Sequence, residues 1–220
     1  MQTNNAKLIS IWLFICCFMV LSMTIIGAIT RLTESGLSIT DWNVVMGTLP
    51  PLNEQAWQVE FDKYKASPEF IQKHNWMELS DYKKIYFWEW LHRLWGRMIG
   101  VVFAVPLLIL WTRKMIPDGY HAKFLGLLAL GGFQGFMGWF MVQSGLVDRP
   151  SVSHYRLAAH LSLALIIFSC LLWLAIEFLR KAKPLTYKMP ASRGLITHGV
   201  VTMIFVALTI IWGAFVAGLD

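Results

Sequence analysis

The sequence predicts an all-α integral membrane protein: a four-helix transmembrane bundle followed by a fifth span. Three observations predict it. The 220-residue chain is 56% hydrophobic and only 15% charged, against roughly 25% charged in an average soluble domain. Its apolar residues gather into five runs of about the 20 residues needed to cross a hydrocarbon core. The basic residues of the short segments between those runs alternate in abundance, as the two sides of a membrane require.

The first run, 10–30, holds no charged residue. A secretory signal peptide is the competing reading. The run exceeds the 7–15 residues of an h-region, Lys7 is the only basic residue before it, and no small-x-small cleavage site follows. It reads as a retained span behind a short tail, 1–9.

Residues 31–84 form a long polar segment with eight acidic and six basic residues. Turn formers crowd its start around Ser35-Gly-Leu-Ser38, and Leu49-Pro-Pro-Leu52 breaks any helix. Asn53 is placed to cap an amphipathic stretch to Lys65 carrying Trp57, Phe61 and Tyr64 on one stripe. A further stretch opens at Ser80-Asp81 and runs into the next span. Such patterning predicts a folded cap over one mouth of the bundle, with a non-contacting spacer as the alternative.

Further spans follow at 85–111, 124–142, 157–178 and 194–216. Of the connecting segments, 112–123 and 179–193 are basic, holding Arg113, Lys114, Lys123, Arg180, Lys181, Lys183, Lys188 and Arg193. If every run crosses, these lie on the side of Lys7, the cytoplasmic or matrix side. The long segment is then external. A duplication is hinted at as well: Gly27-Ala-Ile-Thr30 ends the first run and Gly213-Ala-Phe-Val216 the fifth. The expected organisation is a tail (1–9), a four-helix half (10–179), a basic loop (180–193) and the first span of a truncated second half (194–220).

Two function classes are disfavoured by composition. The net charge of +6 is spent on orientation, with no basic stripe for nucleic acid. Cys16, Cys17 and Cys170 lie in apolar runs with no CxxC spacing, so a disulfide framework or thiolate metal site is not expected.

The chemistry concentrates in Trp88-Glu-Trp-Leu-His-Arg-Leu-Trp-Gly-Arg97, which opens the second run with Glu89, His92, Arg93 and Arg97. An ionisable group at the bilayer centre costs at least about 2.5 kcal/mol on insertion scales, so such residues face a bundle interior. His160, in the fourth run, enters the membrane from the same side at similar depth. Two imidazoles so placed on parallel helices suit the two faces of one haem iron; two unrelated hydrogen-bonded histidines fit the spacing equally. His198 lies at the other membrane face. His74, His121 and His154 fall in polar segments, and all four are set aside as ligands. Gly131, Gly135 and Gly138 give a small-residue stripe, for close helix packing or for a flat ring. Arg31, Arg149 and Arg156 cluster at the outer face, suited to carboxylates such as haem propionates or to lipid phosphates. Arg93 and Arg97 join this group.

Several stretches together resemble the haem A synthase family, in the form found in mitochondria and related proteobacteria. They are Thr30-Arg-Leu-Thr-Glu-Ser-Gly-Leu-Ser-Ile-Thr-Asp-Trp42, Gly47-Thr-Leu-Pro-Pro-Leu52, the 88–97 motif, Gln134-Gly-Phe-Met-Gly-Trp139, Arg149-Pro-Ser-Val-Ser-His-Tyr-Arg-Leu-Ala-Ala-His160 and Trp212-Gly-Ala-Phe-Val-Ala-Gly-Leu-Asp220. The resemblance implies eight spans in two pseudo-symmetric halves, and oxidation of a methyl group of haem O to the formyl of haem A for cytochrome c oxidase. It implies Glu89 as the acidic catalytic residue and His92 with His160 as ligands of the substrate haem. A second histidine pair, for a haem b cofactor, is expected beyond this chain's end. The external cysteine pair of some members is missing here. The implied partners are the enzyme that makes haem O, membrane lipid and a second copy in a homo-oligomer; the implied place is a bacterial or mitochondrial inner membrane. A cytochrome b-like electron carrier using the same histidine pair is the alternative, and a transporter or assembly partner for an anionic substrate a more distant one.

Overall fold

The computed structural model describes residues 3–42, 46–145, 151–183 and 192–217. Five helices in it are long and apolar enough to cross a membrane: α1 (Thr3–Leu32), α3 (Leu79–Thr112), α4 (His121–Gly145), α5 (His154–Ala182) and α6 (Arg193–Ala217). A shorter helix, α2 (Glu54–Lys65), lies between α1 and α3. No strand occurs among the described residues. Each spanning helix overruns its apolar run, because capping and polar flanks extend helix beyond the greasy stretch. The largest extensions are at α1 and α3, which start seven and six residues before their runs do.

Helices α1, α3, α4 and α5 close a ring in which α1 packs on α3 and α5, and α4 packs on α3 and α5. Across the diagonals the backbones of α3 and α5, and of α1 and α4, stand apart, and α1 reaches α4 through the Trp12 side chain. The contact of α1 with α5 is the most extensive, and Ser10 Oγ donates to Ala175 O at 2.9 Å within it. Away from the long segment the centre is filled by aromatics. Trp12 stacks on Phe103 at 5.2 Å and lies 5.7 Å from Phe124, which stacks on Phe178 at 6.1 Å. Trp12 Nε1 also donates to Val102 O at 2.8 Å, so the indole brings no unpaired polar group into the plug. Helix α6 stands outside the ring against α5.

The long segment is folded, as its patterning predicts. Asn53 Oδ1 accepts from Ala56 N at 2.8 Å and starts α2. The Trp57, Phe61 and Tyr64 stripe packs on the first turns of α3, where Phe61 and Tyr64 stack on Tyr82 at 5.0 and 5.2 Å and Trp57 meets Tyr86 edge-on at 4.9 Å. Ile39, Phe61, Tyr64, Tyr82, Ile85 and Tyr86 make a second core, separate from that of the bundle. The cap thus sits at the end of the bundle where α1 finishes and α3 and α5 begin.

Candidate functional site

Below the cap, α3 and α5, which stand across the ring from each other, each carry one imidazole. His92 projects from α3 toward α1, where Gly27 leaves room: a Cβ there would sit 3.8 Å from His92 Nε2. His160 projects from α5 toward α4, where a Cβ at Gly138 would sit 3.4 Å from its Cε1. Both residues lie in the half of their helix nearer the cap.

Gln134, one turn before Gly138 on α4, serves His160. Its Nε2 lies 3.1 Å from His160 Nε2 and donates to His160 O at 3.1 Å. Two polar atoms there are buried without a partner among the described residues, Gln134 Oε1 and His160 Nδ1. Most of the glycine stripe does not serve close packing. A Cβ at Gly131 or Gly135 would meet nothing within 4 Å, and of the stripe only Gly138 faces a neighbour, the His160 imidazole at 3.4 Å. Two imidazoles on diagonal helices, each beside a glycine of a neighbouring helix, are chain groups of the right chemistry to ligate the iron of a flat macrocycle.

Glu89 stands one turn nearer the cap and is 2% exposed. Its carboxylate accepts from Ser38 Oγ and Ile39 N, both at 2.7 Å through Oε2, and from Arg93 Nη2 at 2.5 Å through Oε1. Arg93 also donates to Ile39 O at 2.7 Å and Asp41 O at 3.0 Å, and its guanidinium lies 5.0 Å from the Trp42 ring. One turn on, Arg97 Nη1 donates to Gly47 O at 2.9 Å, while Trp90 Nε1 donates to Thr48 O at 3.0 Å. Residues 89, 93 and 97 thus form a polar ladder along α3 that straps the segment after α1 across the helix. The strap was not legible in the sequence, because its partners, the Ser38 hydroxyl and several backbone groups, lie about fifty residues away.

The remaining predicted residues scatter. Arg31 Nε donates to Ala217 O at 2.7 Å, tying the ends of α1 and α6. Arg156 lies over the Phe140 ring at 4.8 Å, linking α5 to α4. Arg149 lies outside the described residues. His154 sits against Tyr155 and Phe215 at the α5–α6 contact, and His121 meets the Trp111 ring at a tilt at the far end of the bundle. His198 lies on the exposed face of α6 with Thr202 and Phe205. None of these three joins His92 and His160.

His74 proves more embedded than its polar surroundings suggested. It ends a π-helical turn, Phe70–His74, and is 4% exposed. Its Nδ1 meets Tyr64 OH at 2.6 Å and its Nε2 meets Glu34 Oε2 at 3.1 Å. Tyr64 OH also donates to Glu69 Oε2 at 3.1 Å, and Lys73 Nζ to Glu34 Oε1 at 3.2 Å. Burial pushes the Glu69 carboxyl up to about 8, with the nearby Glu89 and Glu34 charges adding to it against the Tyr64 bond. Burial also pushes Glu34 up, but bonds from His74 and Lys73 outweigh it and hold that carboxyl below its ordinary value. Glu34 takes a left-handed backbone, φ 50°, where the chain turns sharply out of α1.

Comparison with known proteins gives one consistent result. Residues 10–220 match the COX15-CtaA family, described as cytochrome oxidase assembly protein. The chain is 51% identical over 214 residues to the haem A synthase of Rhodospirillum centenum, covering 97% of this chain and 56% of that one. It is 46% identical over 222 residues to the haem A synthase of Flavobacterium johnsoniae, covering 100% and 64%. With the haem A synthase of Novosphingobium aromaticivorans the identity is 45% over 217 residues, covering 98% and 61%. The chain therefore spans about three-fifths of the length of these curated relatives. No solved structure matches it.

Proposed function

Because the chain belongs to the COX15-CtaA family of cytochrome oxidase assembly proteins, we propose that it is the substrate-haem half of a haem A synthase, with His92 and His160 as axial ligands of haem O. The observation that supports this reading is that each of the two diagonal helices carries one imidazole, His92 beside Gly27 of α1 and His160 beside Gly138 of α4. Turning a methyl into a formyl group removes two hydrogens and adds one oxygen, a four-electron oxidation. Haem O supplies both the iron and that methyl group when bound.

The chain's own residues bind, orient and handle protons. The two imidazoles would hold the ring, and the cluster of Trp12, Phe103 and Phe124 fills the bundle toward its other end. Glu89 is the proposed proton-handling residue. Both of its oxygens are engaged, and the Ser38 hydroxyl at 2.7 Å is the bonded group with a transferable proton. Proton exchange at Glu89 therefore runs through Ser38, while Arg93 holds the carboxylate in place. Arg93 and Arg97 are occupied with strap carbonyls and act on the haem mainly by fixing the strap. Arg31 is likewise bonded, to Ala217 O, and Arg156 lies over Phe140; with Arg149 they are the proposed outer-face contacts for propionates or lipid phosphates.

The same reading places the second haem, haem b, in the part of the relatives that this chain does not span. It puts the cap outside, the N-terminus on the cytoplasmic or matrix side of an inner membrane, and a haem O-producing enzyme and further copies of the chain among its partners.

The test is extraction and chromatographic identification of haem from the purified chain expressed with a supply of haem O, beside His92→Ala and His160→Ala. Haem O held by the parent and lost from both variants is the expected result. Haem B alone would assign the pair to an electron carrier, and haem O retained in either variant would remove that histidine from the ligand set.

A further inference from the structure

Gln134 occupies a position that the proposed ligation leaves unexplained. Its amide orientation is fixed by the bond from Nε2 to the His160 carbonyl, since the reversed amide would set two oxygens against each other. The same nitrogen lies 3.1 Å from His160 Nε2. With an amide N–H pointing at it, that ring nitrogen must be the acceptor. The ring proton then sits on Nδ1, which is buried and has no partner among the described residues. The resting protein thus holds His160 in the tautomer whose Nε2 lone pair is available, and spends that lone pair on Gln134.

We propose that Gln134 competes with haem iron for the Nε2 lone pair of His160: whenever that axial bond opens, the amide captures the ring nitrogen and slows its return, so that haem can leave the site. This rests on His160 being a ligand, and adds a reason for the neighbouring amide. An interaction present only in the empty state and broken in the bound state always opposes binding, however well it orients the ring. The bond to the His160 carbonyl can persist in both states and cancels. A resident cofactor gains nothing from such competition; a macrocycle that enters as substrate and departs as product requires exchange. Gln134 is a positioning residue in this scheme, since it acts through His160 and not on the reacting methyl.

The test is transfer of haem from the loaded chain to excess apomyoglobin, followed by absorbance, for the parent, Gln134→Met and Gln134→Leu, with His160→Ala as control. Retention should lengthen by about two- to tenfold in both Gln134 variants, the range of one net hydrogen bond. Their low-spin bis-imidazole spectra should match the parent's, because the bound states are alike. A supporting role in packing predicts the opposite, faster loss. Unchanged or faster loss in both variants, with the parent spectrum intact, would overturn the competition. A parent without a bis-imidazole spectrum, or a His160→Ala variant that keeps it, would instead overturn the ligand assignment beneath it. Nitrogen-15 spectra of the histidine-labelled, haem-free parent need no variant to fold. An unprotonated His160 Nε2 is expected, and a proton found on that atom would refute the arrangement.

Discussion

Replacing Glu89 by alanine tests whether the strap is held by the ladder on α3. The carboxylate receives three bonds, two at 2.7 Å from Ser38 Oγ and Ile39 N and one at 2.5 Å from Arg93. Arg93 is only 11% exposed at its side chain, so removing its counter-charge leaves a largely desolvated cation. Breaking a buried pair from one side costs about 3–5 kcal/mol. Arg93 keeps the Ile39 and Asp41 carbonyls, which places the loss near the lower end, about 3 kcal/mol. Ser38→Ala removes a single charge-assisted bond, about 1.5–3 kcal/mol. The two changes should be less than additive, because both act on the same carboxylate. Denaturant unfolding in detergent, read by tryptophan fluorescence, gives all four stabilities of the cycle. A loss below about 1 kcal/mol for Glu89→Ala, or strict additivity with Ser38→Ala, would show that the ladder does not hold the strap.

Two further outcomes follow from the cap and the glycine stripe. Glu69 holds a proton in the folded cap up to about pH 8, whereas its ordinary value is 4.5. Between these values the folded state is protonated and the unfolded state is not, so stability falls as pH rises, by up to about 5 kcal/mol across the window. Glu69→Gln should remove that slope, and melting temperatures of parent and variant should diverge steadily from pH 5 to 8; parallel curves would contradict the assignment. Gly138→Val should abolish haem retention with little loss of helix content, because its side chain starts 3.4 Å from the His160 ring. Gly131→Ala, facing open space, should keep haem and gain up to about 1 kcal/mol from helix propensity.

The spanning helices and the histidine pair were legible because each has a local cause. Uncharged runs of membrane length dictate helices, since backbone groups in lipid must pair within their own segment. His92 and His160 showed themselves as ionisable groups out of place in such runs. Asn53 and the Trp57–Phe61–Tyr64 stripe were equally local signals. What escaped notice is long-range and polar. The grip of Glu89 on Ser38 and Ile39, and the Glu69–Tyr64–His74–Glu34 chain, depend on where a fifty-residue segment folds back. Periodicity carries no information on that. His74 was set aside as an ordinary polar-segment residue, yet it is buried at the centre of the cap. The glycine stripe also read ambiguously, since only the position of the His160 ring separates Gly138 from Gly131 and Gly135.

The strap has a consequence for biogenesis. Chains emerge from the ribosome N-terminus first, so Ser38, Ile39 and Asp41 are made some fifty residues before Glu89 and Arg93. When the translocon releases α3 sideways into lipid, its ionisable residues enter with their partners already synthesised and tethered through α1. An insertion cost that would otherwise fall on α3 alone is met by groups waiting at the membrane surface. The order of synthesis therefore lets a helix carrying three ionisable rungs enter the bilayer without help from any later helix.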